Sequence, residues 1–278
     1  MLYSFGAYPT SGDGFGPNSP LVFDKSNHLY GTTYEGGVAG CFQGCGTVFE
    51  LLPNGNGGWK ERVIHAFRTD GTDGELPTGG VTFDNNGNLY GTTQNGGTAN
   101  SGVLYQLTRS STKDVWVESI AHQFVGGTND GSFPVNVTLF ADHAGNLYGT
   151  TEGGGANGHG AVFEATYSKS NGWSIAILYS FQETYSGDGN DPQAGVTMDE
   201  QGNLYGTTNY GGAFNYYGTV FKLSKSNGIW TETILHSFTG GTDGFYPQSD
   251  ITISNGWVYG TTMLGGGNGW GVVYQVKP

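Results

Sequence analysis

The chain has 278 residues, 52 of them glycine and 14% aromatic, and 23 acidic against 10 basic side chains leave a formal net charge of −13. So few cations argue against binding a nucleic-acid phosphate backbone, which needs basic patches, and against docking on an anionic membrane surface. No apolar run approaches the roughly 20 residues of a spanning helix, so membrane insertion is not expected.

The glycines follow no collagen period and apolar residues recur throughout, so the composition predicts a folded chain with ample aromatic material for a core. Met1–Phe5 leads directly into repeat material, so no leader segment is expected. The organising unit is Asn88-Leu89-Tyr90-Gly91-Thr92-Thr93, which returns at Asn146–Thr151 and Asn203–Thr208 and, slightly altered, at His28–Thr33 and Trp257–Thr262. Five copies spaced by roughly 55 to 60 residues define a repeat architecture. The repeats run approximately over residues 6–67, 68–124, 125–181, 182–238, and 239–278 joined to 1–5, and read as one domain over 1–278.

Each repeat opens on Asp-Gly-x-x-Pro, at Asp13, Asp73, Asp130, Asp188 and Asp243, which is turn chemistry. A short strand follows, such as Gly80–Asp84, and ends in a tight polar turn such as Asn85-Asn86-Gly87, a hairpin signal. The Leu-Tyr-Gly-Thr-Thr unit is the second strand. A loop opening on a glycine pair leads to a third strand like Gly46–Leu51, and a fourth starts at Trp59, Trp116, Trp173 or Trp230. The fourth strand alternates with period two, Trp230, Glu232, Ile234 and His236 facing one side. No helical stripe persists.

Four antiparallel strands repeated five times predict an all-β, five-bladed β-propeller. The last repeat lacks a fourth strand, and Leu2–Phe5 matches Leu178–Phe181, so residues 2–5 are expected to complete the last blade and close the ring, leaving few exposed edges.

The motifs Asn-Leu-Tyr-Gly-Thr-Thr, Gly-Gly and Gly-Thr-Val-Phe-x-Leu resemble the GloVer tandem repeat of bacterial secreted or surface-anchored choice-of-anchor proteins, over nearly the whole chain. The resemblance implies an extracellular or cell-surface bacterial protein and names no catalytic residues. Cys41 and Cys45 could close a small disulfide, which suits such a protein, or remain two reduced thiols. With no second Cys or His pair beside them, they are not expected to hold a metal.

Function is expected where loops sit on a rigid scaffold, on the face carrying the Asp-Gly-x-x-Pro and glycine-rich loops. The opposite face, made of tight Asn-Gly turns, is expected to leave little room for a pocket. The aspartates Asp13, Asp73, Asp130, Asp188 and Asp243 could bind sugar hydroxyls or Ca²⁺, although one carboxylate per loop is few for Ca²⁺ and Asx-turns explain them equally; no other cofactor is expected. Symmetry breaks just before the third strand, at Cys45, Ser101, His159, Tyr217 and Trp270, with Tyr34 and Tyr210 nearby. Aromatic faces beside polar groups suit sugar stacking, so Tyr34, His159, Tyr210, Tyr217 and Trp270 are candidate ligand contacts. Asp250, Asp191 and Glu75 also break symmetry and are the candidate acids if the chain is an enzyme. His65, His122 and His236 share a position with Tyr3 and Tyr179, which reads as a hydrogen-bonding core site and not a metal ligand. The leading expectation is a monomeric, extracellular module binding a polysaccharide or surface glycan, multivalently if the repeats act alike. The alternatives are a glycoside hydrolase or polysaccharide lyase with one site at the channel mouth, and a purely structural surface repeat.

Overall fold

The computed structural model describes residues 1–6, 12–37, 40–111, 115–182, 187–214 and 216–278. The chain is a five-bladed β-propeller of antiparallel sheets, and no α-helix occurs among the described residues. It divides into two compact units, one of residues 1–125, 141–145 and 167–173, the other of 126–140, 146–166 and 174–278.

In the first unit, repeat 1 forms strands Val22–Phe23, Leu29–Thr33, Thr47–Pro53 and Trp59–Ala66, paired in that order. Repeat 2 repeats this with Thr82–Phe83, Leu89–Thr93, Val103–Arg109 and Trp116–Gln123. In the second unit, repeat 4 forms Thr197–Met198, Leu204–Thr208, Thr219–Ser226 and Ile229–Ser237, and repeat 5 forms Thr252–Ser254, Trp257–Thr261 and Val273–Val276. Repeat 3 contributes to both units; its strands Leu147–Thr151 and Ala161–Ser168 pair from Leu147↔Ala165 to Thr151↔Ala161.

The repeated motif follows from packing. All five residues of Leu89–Thr93 are buried, as are those of Leu29–Thr33, Leu147–Thr151 and Leu204–Thr208. The tyrosine hydroxyl leaves this apolar layer toward the aspartate that closes the preceding strand. Asp84 Oδ1 accepts the backbone N–H of Asn86 (2.8 Å) and of Asn88 (2.9 Å), and its Oδ2 accepts the Tyr90 hydroxyl at 3.2 Å. Burial opposes charge on Asp84, but these bonds hold its carboxyl below the usual range. The motif glycine lies under an aromatic ring of the third strand. A Cβ on Gly91 would stand 2.5 Å from Tyr105 Cζ, and one on Gly206 would stand 2.6 Å from Phe221 Cζ. The first threonine ties adjacent repeats: Thr32 donates to Gly79 O (2.8 Å) and Thr150 to Ala194 O (2.7 Å). The second fixes the next loop, as Thr93 donates to Asn95 O at 2.8 Å.

Two details differ from the sequence reading. Strict alternation in the fourth strand fails near its end, because the register shifts between Val220 and Phe221, which face His236 and Ile234. Residues Ile234–Ser237 are consequently all half-buried. Residues 1–6 carry no assigned strand and the fifth sheet has three. Even so, the Phe5 ring packs edge-on against Phe49 at 5.0 Å, as Phe181 packs on Phe221 at 5.2 Å.

Candidate functional site

Within a repeat, the Asp-Gly-x-x-Pro loop and the glycine-rich loop are hydrogen-bonded to each other. Gly74–Glu75 pairs with Asn95–Gly96, and Gly189–Asn190 with Tyr210–Gly211. Both loops therefore emerge together at the same end of their sheet.

The loop aspartates have a consistent set of partners. Asp188 Oδ1 accepts Gly189 N–H at 2.6 Å, and Oδ2 accepts Gln182 N–H and the Tyr179 hydroxyl, both at 2.9 Å. Asp13 does the same with Gly14 N–H, Gly6 N–H and the Tyr3 hydroxyl. Asp73 accepts Gly74 and Arg68 N–H, with His65 Nε2 at 3.5 Å. Asp243 faces His236 Nε2 at 3.1 Å and accepts Thr239 N–H; Asp130 accepts Gly131 N–H at 2.8 Å. The carboxylates of Asp13, Asp73, Asp188 and Asp243 thus pin the end of one repeat's fourth strand to the start of the next repeat.

The residue before the loop proline has positive φ in every repeat: Gly16 (69°), Leu76 (59°), Phe133 (56°), Asp191 (52°) and Tyr246 (59°). Large side chains are held in this left-handed conformation, at about 1–3 kcal/mol each, only where the surroundings enforce it. The enforcement is a pair of backbone bonds. Asp191 N–H donates to His159 O (3.1 Å) and its carbonyl accepts Asn209 N–H (3.0 Å). Tyr246 does the same with Tyr217 O (3.1 Å) and Met263 N–H (3.0 Å). Three variable columns thus converge at each loop: the residue before the proline, the residue after Gly-Thr-Thr, and the residue before the third strand.

In the second unit these columns build a polar site. Glu152, after the repeat-3 threonines, accepts a hydrogen bond from the Gln193 amide. Gln248 Nε2 donates to Gln193 Oε1 (2.9 Å) and to Asn209 Oδ1 (3.1 Å). Burial, then the Asp191 carboxylate, raises the Glu152 carboxyl above its ordinary range. Burial also raises Asp191, with the His159 ring pulling it back. The Tyr210 ring meets Tyr246 edge-on at 5.2 Å, and Tyr217 meets Phe245 at 5.7 Å.

The structure thus brings His159 and Asp191 to one loop contact, and Tyr210 and Tyr217 into aromatic pairs on the same loops. Trp270 is 86% exposed on a loop of repeat 5. Asp250 is engaged elsewhere: burial raises its carboxyl, which accepts Gly195 N–H at 2.7 Å and a bond from Thr138. Glu75 and Tyr34 belong to the first unit, where burial and then Asp73 raise Glu75, and Tyr34 N–H donates to Gly16 O. Cys41 and Cys45 are joined in a disulfide, Cα atoms 5.0 Å apart. Sequence reasoning missed Glu152, Gln193, Asn209, Gln248 and Tyr246. Their signal was available: the residue after Gly-Thr-Thr runs Tyr34, Gln94, Glu152, Asn209, Met263, a column as variable as the one before the third strand.

The expectation about the Asn-Gly face is corrected. A concavity of about 440 Å³ lies there in the first unit, walled by Phe23, Lys25, Phe83, Asn86, Arg109 and Trp116. Another, of about 780 Å³, lies in the second unit beside Asp199, Gln201, Tyr205 and Asn255. The turns themselves are tight, but each closes within one repeat, so the gap between neighbouring repeats stays open.

The model of the Gloeobacter/Verrucomicrobia repeat family matches residues 1–124 and 42–274, and the chain belongs to that family. No curated protein matches it. Among solved structures it is similar to the Penicillium chrysogenum α-L-arabinanase complexed with arabinobiose, at 12% identity and TM-score 0.51, over 86% of this chain and 72% of that one. It is also similar to the Trypanosoma rangeli sialidase in complex with sialic acid, at 12% identity and TM-score 0.51, over 95% of this chain and 47% of the sialidase. The chain thus spans about half the sialidase's length, and likenesses at this identity concern the fold.

Proposed function

We propose that this member of the Gloeobacter/Verrucomicrobia repeat family is an extracellular bacterial module that binds a glycan on the loops of its second unit. The observation that carries the reading is the row Glu152, Gln193, Gln248 and Asn209, beside Tyr210 and Tyr246. The half-buried Glu152, Gln193 and Gln248 supply the paired donors and acceptors that vicinal hydroxyls need, while the buried Asn209 holds Gln248 in position. Aromatic faces cover the apolar C–H face of a pyranose. The row stands where the repeats diverge, as a single-ligand site requires. The arabinobiose and sialic acid held by the two similar structures support the ligand class by analogy of fold. The Cys41–Cys45 disulfide fits an oxidising compartment.

A second reading rests on Glu152 and Asp191, two carboxyls raised by burial with the second adding to the first. A carboxyl pair of unequal environment is the minimum for glycoside hydrolysis. A glycan array followed by calorimetry and a product-release assay separates the readings. Binding without turnover, weakened roughly fivefold by Tyr210→Ala, about 1 kcal/mol, supports the module. Gln248→Ala should weaken it too. Turnover lost in Glu152→Gln and Asp191→Asn with binding retained supports the enzyme. Binding indifferent to Tyr210→Ala and Gln248→Ala but lost in Trp116→Ala would move the site to the Asn-Gly face and overturn the assignment.

A further inference from the structure

The junction between repeats 1 and 2 differs from its counterparts. At the junction of repeats 3 and 4, the Tyr179 hydroxyl lies 2.9 Å from Asp188 and 3.2 Å from Glu232, and both contacts are hydrogen bonds. Tyr3 bonds Asp13 in the same way at the start of repeat 1, with Glu61 in the Glu232 position. At the junction of repeats 1 and 2 the tyrosine is replaced by His65, between Asp73 and Glu118. His65 Nε2 is 3.5 Å from Asp73 Oδ2 and 3.3 Å from Glu118 Oε1. Neither contact has hydrogen-bond geometry: Glu118 Oε1 is buried without a hydrogen-bond partner, as Glu61 Oε1 and Glu232 Oε1 are at the other two junctions, and what sets this junction apart is that His65 Nε2 is buried without one too. The His65 side chain is 11% exposed, Asp73 3% and Glu118 16%.

We propose that His65, Asp73 and Glu118 bind a first-row divalent cation of the zinc class. The three donor atoms lie within 4.8 Å of one another. Two ligands held at about 2.0–2.2 Å in a tetrahedral site stand roughly 3.3–3.6 Å apart, which is the separation of the imidazole nitrogen from each carboxylate. One imidazole and two carboxylates form a donor set suited to Zn²⁺, with the fourth position left to water. The ion would take the place of the present hydrogen bond between the Asp73 and Glu118 side chains, would give His65 Nε2 a partner, and would offset two carboxylates in a chain of net charge −13. Arg68 Nε stands 3.8 Å from Asp73 Oδ2 and its side chain is 61% exposed, so an incoming ion would displace a solvent-exposed partner of Asp73. His65 lies on the last strand of repeat 1 and both acids lie in repeat 2, so the ion would staple the two repeats together. The arrangement is specific to this junction. Among the described residues His236 and Asp243 belong to no such cluster of three, and the residue matching Glu118 in repeat 3 is Ile175.

The test is addition of ZnCl₂ to chelator-treated protein, read by calorimetry and thermal melting, with MgCl₂ and CaCl₂ as controls. The expected result is one equivalent of Zn²⁺ bound and a raised melting temperature. His65→Tyr and Glu118→Ile should fold, because the chain itself carries Tyr179 and Ile175 at those positions, and should lose both responses. His236→Tyr should retain them. Co²⁺ should give the visible absorption of a tetrahedral site in the parent and not in His65→Tyr. Absence of stoichiometric binding in the parent, or equal binding in parent and His65→Tyr, overturns the proposal.

Discussion

Replacing Glu232 by glutamine should stabilise the protein in alkaline solution and leave it unchanged in acid. Burial, then the neighbouring Asp188 carboxylate, raises the Glu232 carboxyl from 4.5 to about 9. Its folded value stands above the unfolded one, so its contribution to stability is complete below about 4.5 and is lost as pH rises toward 9. At pH 8 the unfolded carboxyl has released its proton and the folded one has not, costing the fold about 1.4 kcal/mol per pH unit above 4.5. Glu232 is also hydrogen-bonded to Asp188, which offsets part of this cost, so about 2–3 kcal/mol is expected to return when Glu232 is made permanently neutral. For a chain of this size that is a rise of roughly 5–10 °C in melting temperature. Glutamine retains a donor for Asp188 and an acceptor for the Tyr179 hydroxyl, so packing should survive. Differential scanning fluorimetry of parent and Glu232→Gln from pH 4 to pH 9 reads the effect. Coincident curves near pH 4 that diverge above pH 6, the variant melting higher, bear the reasoning out. Curves separated by a constant offset across the range refute it.

Gly91→Ala should destabilise by about 1–3 kcal/mol in a chemical denaturation series, because its methyl would press on the buried Tyr105 ring. Arg62→Ala should cost about 2–3 kcal/mol, since Arg62 Nε and Nη2 both bond Glu50, which is 0% exposed and would keep only the Tyr30 hydroxyl bond at 2.6 Å and His28 at 3.3 Å. Deleting residues 1–5 should lower stability by about 2–4 kcal/mol, removing the Phe5 ring from Phe49 and the Tyr3 hydroxyl from Asp13. An unchanged thermal melt would show that the N-terminal segment contributes nothing to the fold.

The architecture was legible in the sequence because a motif repeated five times reports one environment five times. In Leu89–Thr93, leucine and tyrosine fill two faces of a buried strand, glycine admits a ring and the threonines close loops; each is a local demand that any copy reveals. The bulge opposite Val220 was hidden, because one unpaired residue leaves composition unchanged and shifts only the phase. The candidate site was half visible. His159, Tyr210 and Asp191 stand out as departures from the repeat, but Glu152, Gln193 and Gln248 meet only when three repeats converge. Asp250 looked equally exceptional in sequence, and only packing commits it to Gly195 and Thr138. His65 makes the same point from the other side. By position it is one of several interchangeable His and Tyr residues, and only the fold sets it 3.3 Å from Glu118, a residue 53 positions away. Repetition writes the scaffold into the chain, because each repeat must satisfy the same backbone and core. The chemistry depends on distances between residues far apart in sequence, and those exist only once the blades have packed.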